Sequence, residues 1–327
     1  MKKRIVAAIC VCVLIISCLS ACGSNTESSS APESDNLQIV TTIFPIYDWV
    51  REILGENPAG IELTMLMDNG VDLHSFQPTA MDILRVSSCD MFVYVGGESD
   101  QWVEDAVQEA ANEKQKEINL MESLGDGMKE EQIVEGMQPE EEDTESEEPE
   151  YDEHVWLSLK NASILCGRLA KAIQEMDPEH AAIYEANVVA YQQKLADLDN
   201  EYQSVVNESS QKTVLFGDRF PFRYLTDDYD LNYYAAFAGC SAETEASFET
   251  ISFLAGKVDE MKLGCVMTIE GSDQRIAETI IQNTKEKDQK ILTMDSMQAT
   301  TSKDAGRGAT YLSVMEKNKD VLKEALQ

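Results

Sequence analysis

Short apolar runs alternate with longer segments of helical periodicity along most of the chain, and the runs fall into two series. The predicted strands of the first series are 37–46, 62–67 and 91–95, and those of the second are 213–217, 231–237, 264–270 and 291–295. Helical patterns separate most of these runs. Such alternation is typical of parallel sheets covered by helices. We therefore predict an α/β fold with two lobes, each containing a mostly parallel sheet flanked by helices.

A single long helical pattern separates the two series. An Asp-Pro-Glu start signal at 177–179 opens it, and it continues to about residue 208 without glycine or interior proline, which corresponds to roughly 45 Å of helix. Its apolar positions recur at steps of four and three and are Tyr184, Val188, Tyr191, Leu195, Leu198, Tyr202 and Val205. We interpret residues 177–209 as a rigid spine that joins an N-terminal lobe (37–176) to a C-terminal lobe (210–327). The alternative is an ordinary helix within one large domain.

The chain begins with a charged segment and an apolar segment, in the order found in secretory signals. The sequence MKKR precedes an apolar run at 5–16 that is short for a membrane span, and LSAC at 19–22 is similar to the lipobox of bacterial lipoproteins. We predict a lipoprotein signal peptide at 1–22, lipidation of Cys22 and a disordered tether at 23–36. The folded body then lies outside the cell membrane, attached to its outer face. An uncleaved N-terminal anchor is the alternative.

One segment of the first lobe contributes −13 to the net charge of −34. Residues 130–153 contain thirteen acidic residues and no basic ones, and the rest of the chain is still acidic. Nucleic-acid binding requires basic patches, which this composition excludes. The acidic run contains two prolines and few apolar residues, so we predict a solvated loop at 130–153.

The four cysteines beyond the N-terminal segment are scattered and show no C-x-x-C spacing. They are Cys89, Cys166, Cys240 and Cys265. This pattern does not indicate a zinc knuckle or a disulfide framework. Because each lies among apolar or small residues, we predict buried free thiols, although two bridges of unknown connectivity remain an alternative.

Three histidines occur in the whole chain, and two of them lie at helix entrances. His74 follows a turn-rich loop and precedes a predicted N-cap at Thr79, whereas His154 ends the acidic loop just before another helix. We predict that His180, in the first turn of the spine, is a surface residue. Loops of this kind often carry ligand-binding side chains. Neutral imidazoles suit zinc, and two of them need further donors to complete a coordination shell.

Carboxylates follow three predicted strands of the second lobe. Asp218, Glu270 and Asp295 each come at the end of an apolar run. Ligands of open parallel sheets bind beyond the carboxyl ends of the strands. Each carboxylate alone is more often a cap or a turn residue. Together with His74 and His154 they favour a metal site.

The chain resembles the zinc and manganese solute-binding proteins of ABC importers. The resemblance covers nearly all of the chain after the tether and rests on TTIFPIYD at 41–48, DLHSFQPT at 72–79, DEHVWLS at 152–158, ETEAS at 243–247 and the last strand into Asp295. It implies two α/β lobes joined by a long helix, with the metal in the cleft between them. It also implies that His74, His154 and Asp295 are metal ligands.

One position departs from this family's pattern. The family places a histidine or a glutamate where this chain has Arg219, a permanent cation that cannot bind a metal. Either Asp218 or Glu270 replaces the missing ligand, or Arg219 occupies the cleft and the site is weakened or lost. Leu73 also stands where the family usually has proline.

The resemblance implies a monomeric receptor that captures Zn²⁺, with Mn²⁺ as the second choice, and delivers it to an ABC permease without catalysis. A metal-dependent hydrolase is a second class of function, but H-E-x-x-H and G-x-S-x-G motifs are absent from the sequence. A third class is a surface lipoprotein for adhesion or sensing with a degenerate metal cleft, which the Arg219 substitution keeps open.

Overall fold

The first sheet is built from four short parallel strands of the N-terminal half. This computed structural model describes residues 36–108, 110–138, 150–241 and 245–327, and residues 36–327 fold as one compact unit. The strands occur in the order β2-β1-β3-β4 and are β1 (Gln38–Thr41), β2 (Glu62–Met65), β3 (Met91–Tyr94) and β4 (Lys116–Asn119). The central strands are largely buried. The edge strand β4 contains a single strongly apolar residue, Ile118, so the hydrophobic pattern does not reveal it.

Several predicted features lie outside the described residues. They are the signal peptide, Cys22, the tether apart from Asn36, the part of the acidic loop at 139–149, and two residues of the ETEAS motif, Glu243 and Thr244.

The second sheet repeats the strand order of the first. Its parallel strands are arranged as β6-β5-β7-β8 and are β5 (Thr213–Phe220), β6 (Asn232–Ala238), β7 (Cys265–Ile269) and β8 (Lys290–Met294). β5 continues beyond its predicted end at 217, with an irregularity in register between Phe216 and Arg219. A Cβ on Gly217 would lie 2.6 Å from Ala277 Cα, so only glycine allows this close approach to the neighbouring helix.

Helices cover both sheets. In chain order they are α1 (Phe44–Leu54), α2 (Ala80–Ser88), α3 (Trp102–Gln108), α4 (Leu120–Leu124), α5 (Leu159–Met176), α6 (Ala181–Glu208), α7 (Arg223–Asp228), α8 (Phe248–Met261), α9 (Arg275–Asn283), α10 (Ser302–Gly306) and α11 (Tyr311–Ala325). Short 3-10 helices add Leu73–Ser75, Glu98–Asp100, Gly125–Gly127 and Val155–Leu157. In the described part of the chain, none of the helices has both the length and the apolar character needed to cross a bilayer. The predicted fold class of two α/β lobes joined by one long helix is confirmed.

The long helix α6 packs against both lobes. It begins at Ala181, because Asp177 ends the preceding helix α5 and accepts hydrogen bonds from His180 and Tyr184 instead of capping α6. Asn187 donates to the Ile53 carbonyl in the first lobe at 2.9 Å. At the other end, Tyr202 donates to the Met315 carbonyl in the second lobe at 2.6 Å. The predicted apolar stripe is buried with one exception. At its last position Val206 lies in the core, and the prediction of Val205 was wrong.

A shared hydrophobic core joins the lobes, and the buried carboxylate of Asp48 forms a hydrogen bond between them. Asp48, on α1 of the first lobe, accepts the backbone N–H of Tyr311, on α11 of the second lobe, at 2.7 Å. Arg51 also hydrogen-bonds this carboxylate. Burial raises the pKa of Asp48 to about 6, and the two hydrogen bonds offset this only in part.

The described ends of the acidic segment differ from the predicted solvated loop. Glu130 and Tyr151 form an antiparallel bridge. Met137 is buried, and Gln138 donates its N–H to the Ala236 carbonyl of β6 at 2.9 Å. Residues 130–138 therefore contact the second lobe. Met137 is buried in the core although its neighbours in the sequence are mostly polar.

Asp48→Asn is expected to flatten the pH dependence of stability between pH 3.8 and about 6. Because the pKa is raised in the folded state, this group's contribution to stability is complete below its unfolded pKa and is lost as pH rises through about 6. Denaturant unfolding at several pH values should show the free energy of unfolding of the wild type falling relative to Asp48→Asn, by up to roughly 1.4 kcal/mol per pH unit. A pH-independent difference across this window would contradict the raised pKa.

Candidate metal centre

His74 reaches the cleft between the lobes from a 3-10 turn. The Asp72 side chain caps this turn by accepting the His74 backbone N–H at 3.0 Å. The ring Nδ1 lies 2.8 Å from Ser99 Oγ and 3.5 Å from Glu153 Oε2. Oxygen atoms therefore surround Nδ1 and leave Nε2 as the nitrogen directed away from them.

His154 is fully buried and is held by the residue two positions before it. Asp152 Oδ1 accepts the His154 backbone N–H at 2.8 Å and lies 3.0 Å from the ring Nδ1. The imidazole also contacts the Trp156 ring, with centroids 5.2 Å apart. A carboxylate on Nδ1 fixes the ring orientation and favours the tautomer whose Nε2 carries a lone pair.

The two imidazoles meet through their Nε2 atoms, which are 3.1 Å apart. Burial, and then the charge of His154, lower the pKa of His74 to about 3. Burial alone would also lower the pKa of His154, but the charge and hydrogen bond of Asp152 outweigh it and raise that pKa. One proton between the nitrogens relieves the repulsion of two facing lone pairs. A metal cation in the same place does so as well.

A buried glutamate adds negative charge beside the histidine pair. Glu153 Oε1 accepts the Ser99 backbone N–H at 2.9 Å. Its other oxygen, Oε2, is buried and has no hydrogen-bond partner among the described residues. Burial raises the pKa of Glu153. An unpaired buried carboxylate oxygen is costly, so this position favours a nearby cation.

The second lobe brings Cys240 to the same place. One ligand atom each of His74, His154 and Cys240 lie within 4.8 Å of one another, and no other group of three His, Cys, Asp or Glu donors this close occurs in the described part of the chain. Gly239 makes this approach possible, because a Cβ there would lie 3.0 Å from His154 Cε1 and 2.9 Å from the Phe220 carbonyl oxygen. Burial raises the pKa of the Cys240 thiol well above its ordinary value, as do the nearby acidic side chains.

The three predicted carboxylates lie in the second lobe, and each accepts a backbone N–H. Glu270 accepts the N–H groups of Ser296 and Gln298 and the Ser296 hydroxyl, at 2.7 to 3.1 Å. Asp218 accepts the N–H groups of Arg219 at 2.9 Å and Ile269 at 3.3 Å. Burial and then the charge of Asp295 raise the pKa of Glu270 to about 7.

Asp295, unlike the other two carboxylates, does not line the cleft. Its Oδ1 accepts the Met297 N–H at 2.8 Å. The cleft is a cavity of about 600 Å³, whose walls include His74, Asp218 and Glu270. Asp295 is not among the described residues that line it. The structure thus brings the two predicted histidines together, whereas the three carboxylates are outside the group of three close donors.

Arg219 crosses the cleft and pairs with the first lobe. Its Nη2 lies 2.6 Å from Asp72 Oδ2, and both side chains are largely buried, with 20% and 23% exposure. Asp72 is also the residue that caps the turn of His74. The guanidinium is therefore neutralised by a carboxylate that positions a candidate ligand.

Comparison with known proteins places these residues in a family. The model of the zinc-uptake complex component A family, ZnuA, matches residues 39–325. The chain belongs to the ZnuA family.

Relatives of this ZnuA-family chain include zinc-binding lipoproteins. The zinc-binding lipoprotein AdcA of Streptococcus pneumoniae strain R6 is 29% identical over 99% of this chain and 61% of its own length. The chain thus spans about three fifths of that relative. The high-affinity zinc uptake system protein ZnuA of Bacillus subtilis strain 168 is 26% identical, over 97% of this chain and 96% of that protein.

A solved structure has the same fold. The Zn(II)-bound ZnuA-like domain of Streptococcus pneumoniae AdcA superposes with a TM-score of 0.69 at 26% identity, covering 89% of this chain and 99% of that domain. Family membership and the two-lobed fold therefore agree with the resemblance found in the sequence motifs.

Cys240 is the candidate residue of this ZnuA-family chain that sequence reasoning missed. It has no partner cysteine nearby in the sequence, and an isolated cysteine among small residues is usually a buried thiol. The available signal was its place directly after Gly239, at the carboxyl end of the strand β6. Loops at this edge of a parallel sheet carry ligands.

A double-mutant cycle should measure the link between Arg219 and Asp72. Arg219→Gln and Asp72→Asn, alone and combined, are expected to show a coupling of about 1 kcal/mol or more in the free energy of unfolding, because the pair is largely shielded from water. Arg275 and Asp273 form a matched control pair with 82% and 56% exposure. A coupling no larger than that of the control pair would show that the cleft pair adds no stability beyond an ordinary surface ion pair.

Proposed function

We propose that this chain captures Zn²⁺ in the cleft between its two lobes and delivers it to an ABC permease in the membrane. His74 and His154 hold the ion through Nε2, and at least one donor from the second lobe joins them. The reaction is binding and release, without catalysis. Mn²⁺ is the second candidate for the transported ion.

The observation that carries this proposal is the pair of Nε2 atoms 3.1 Å apart. Tetrahedral zinc with Zn–N bonds of about 2.0 to 2.1 Å separates two nitrogen donors by roughly 3.3 Å. The separation without an ion is already close to this value. Acceptors on both Nδ1 atoms orient the rings and direct the Nε2 lone pairs to one point, as in many histidine metal sites.

The surroundings of the pair favour a divalent cation. Asp152 and Glu153 are both buried beside the imidazoles and together place two carboxylates there. The relatives named as zinc-binding proteins support zinc as the ion. Zinc also binds nitrogen ligands more tightly than manganese does wherever both ions are present.

The cleft provides access for the ion. Its volume of about 600 Å³ includes walls from both lobes, with His74 on one side and Asp218 and Glu270 on the other. These two carboxylates, together with Asp295, are the sequence-based candidates for the second-lobe donor. A site shared between lobes allows release when the two sets of donors separate.

The location and partners of the protein also belong to this proposal. We propose that a lipid on Cys22 attaches a monomeric receptor to the outer face of the cell membrane, beside its permease, through a tether at 23–36. In this proposal the segment 177–209, which contains helix α6, joins the lobes 37–176 and 210–327. The lipoprotein relative supports the anchor.

Zinc binding should be lost when either histidine is removed. His74→Ala and His154→Ala each remove one of two imidazole donors, so zinc affinity measured by isothermal titration calorimetry should fall by about 100-fold or more. His180→Ala is the matched control. His180 directly precedes α6, and its ring bonds to Asp177 and not to the cleft residues, so its replacement should leave zinc affinity unchanged.

Thermal unfolding of each variant separates loss of ligand from loss of fold. Folded alanine variants that keep the wild-type affinity would contradict the histidine site. If the wild type binds neither zinc nor manganese, the receptor proposal fails and the adhesion or sensing alternative takes its place.

Cys22→Ser should release a folded protein from the membrane. The change removes the acylated thiol and leaves residues 36–327 unaltered, so anchoring and folding are separable. Membrane and soluble fractions of expressing cells provide the measurement, with Cys265→Ser as the control that keeps the anchor. Retention of Cys22→Ser in washed membranes would contradict a lipid anchor at this residue.

A further inference from the structure

We infer that the Cys240 thiolate is the second-lobe ligand of the captured ion, so that two imidazoles and one sulfur hold it. This inference rests on the proposed function and gives the site a preference for thiophilic divalent metals, zinc and cadmium above manganese. It also assigns a role to a residue outside the sequence-based ligand set.

The spacing of the three donors fits one small ion. Zinc with Zn–N and Zn–S bonds of about 2.0 and 2.3 Å separates nitrogen from sulfur by roughly 3.6 Å in a tetrahedron. One nitrogen of each imidazole and the Cys240 sulfur already lie within 4.8 Å of one another. Closing around an ion requires side-chain movements on the order of 1 Å, which ordinary rotamer adjustment supplies.

The backbone beside Cys240 is shaped for this contact. Gly239 lies against the His154 ring, and even a methyl group there would be 3.0 Å from Cε1 and 3.1 Å from Nδ1. The Cys240 N–H is held by Glu131 Oε1 at 3.3 Å. Gly239 is therefore packed against the His154 ring, and the Cys240 backbone is held by Glu131 of the acidic segment.

The carboxylates of the second lobe are less available. Each has at least one oxygen that accepts backbone N–H groups of its own lobe, and in Glu270 and Asp218 both oxygens do so. Recruiting Glu270 or Asp218 as a ligand would weaken or displace these hydrogen bonds, and Asp295 is not among the described residues that line the cleft. The Cys240 thiol hydrogen-bonds to the Glu153 backbone of the first lobe and already lies within 4.8 Å of one nitrogen of each histidine, so its recruitment leaves the hydrogen bonds of the second-lobe loops in place.

The electrostatics of the site are consistent with a thiolate–metal bond. When the ion binds, the thiol releases its proton to solvent, and the resulting thiolate sulfur coordinates the metal. Glu153 Oε2, buried without a hydrogen-bond partner among the described residues, adds attraction for the ion. Three protein ligands leave a fourth position for water, and an open position suits an ion that must later be released.

Cobalt substitution in the full chain tests the ligand directly. Co²⁺ bound by a thiolate gives a strong near-ultraviolet charge-transfer band, whereas Co²⁺ bound by nitrogen and oxygen alone does not. We expect the band in the wild type, its loss in Cys240→Ser, and its retention in the control Cys265→Ser, which removes a buried thiol elsewhere in the second lobe.

Affinity measurements give a second, independent readout. Cys240→Ser should raise the zinc Kd by on the order of 100-fold, at the upper end of the roughly 10- to 100-fold that changing a residue behind a ligand costs. The loss should be larger for Cd²⁺ than for Zn²⁺, because cadmium is the softer ion. Thermal unfolding verifies that the variant is folded, and Cys240→Ala serves as a second variant that cannot donate a hydroxyl.

The outcomes separate the two proposals. Histidine-dependent Co²⁺ binding without the charge-transfer band, or equal affinity in wild type and Cys240→Ser, would overturn the cysteine ligand and leave the receptor function intact. Absence of Co²⁺ and Zn²⁺ binding in the wild type would overturn both. Loss of the band together with a cadmium-weighted loss of affinity would support the inference.

Discussion

Two imidazoles that turn the same nitrogen toward each other, 3.1 Å apart, set the requirements for the rest of the cleft. Facing Nε2 lone pairs repel, and they stay in place only because Asp152 holds one ring from behind and oxygens of Ser99 and Glu153 surround the other Nδ1. Burial excludes water that would otherwise solvate these nitrogens. The arrangement is therefore satisfied by a proton or by a metal ion, and the neighbouring residues decide how strongly each is favoured.

Hydrogen bonds between the two lobes hold the histidine pair in this arrangement. Trp156, two residues after His154, donates to the Ser296 carbonyl at 2.8 Å, and Ser296 in turn donates to Glu270. Tyr311 of the second lobe donates its hydroxyl to the Trp156 carbonyl at 2.6 Å. The histidine turn is thus tied to the second lobe through several buried hydrogen bonds. Buried polar groups are costly to leave unpaired. Separating the lobes far enough to expose the histidines therefore requires all of these hydrogen bonds to be replaced by hydrogen bonds to water at the same time.

Periodicity predicted most of the fold because each lobe's central strands and the spine are strongly apolar on their buried faces. It failed where the signal is weak: β4 contains only Ile118 as a large apolar residue, and Met137 enters the core alone from an acidic segment. The histidine pair could be predicted because histidine is rare in this chain and both residues precede helices. Cys240 could not be predicted, because its role depends on which loop lies against His154. The close approach of Gly239 to the His154 ring is visible only in the folded structure.

Arg219 illustrates how a permanent cation can stand in a cleft proposed to bind cations. Asp72 faces it at 2.6 Å, and the two opposite charges offset each other in part at His74, where Asp72 raises the pKa of the ring and Arg219 lowers it. The charge felt by an arriving ion is then set by the nearer groups, Asp152 and Glu153, which are both buried and face the imidazoles from the first lobe. Because Asp72 also caps the turn of His74, the arginine stabilises the position of a ligand without occupying the ligand's place. Replacing a coordinating side chain by arginine therefore need not abolish the site, provided that another residue of the second lobe supplies the missing donor.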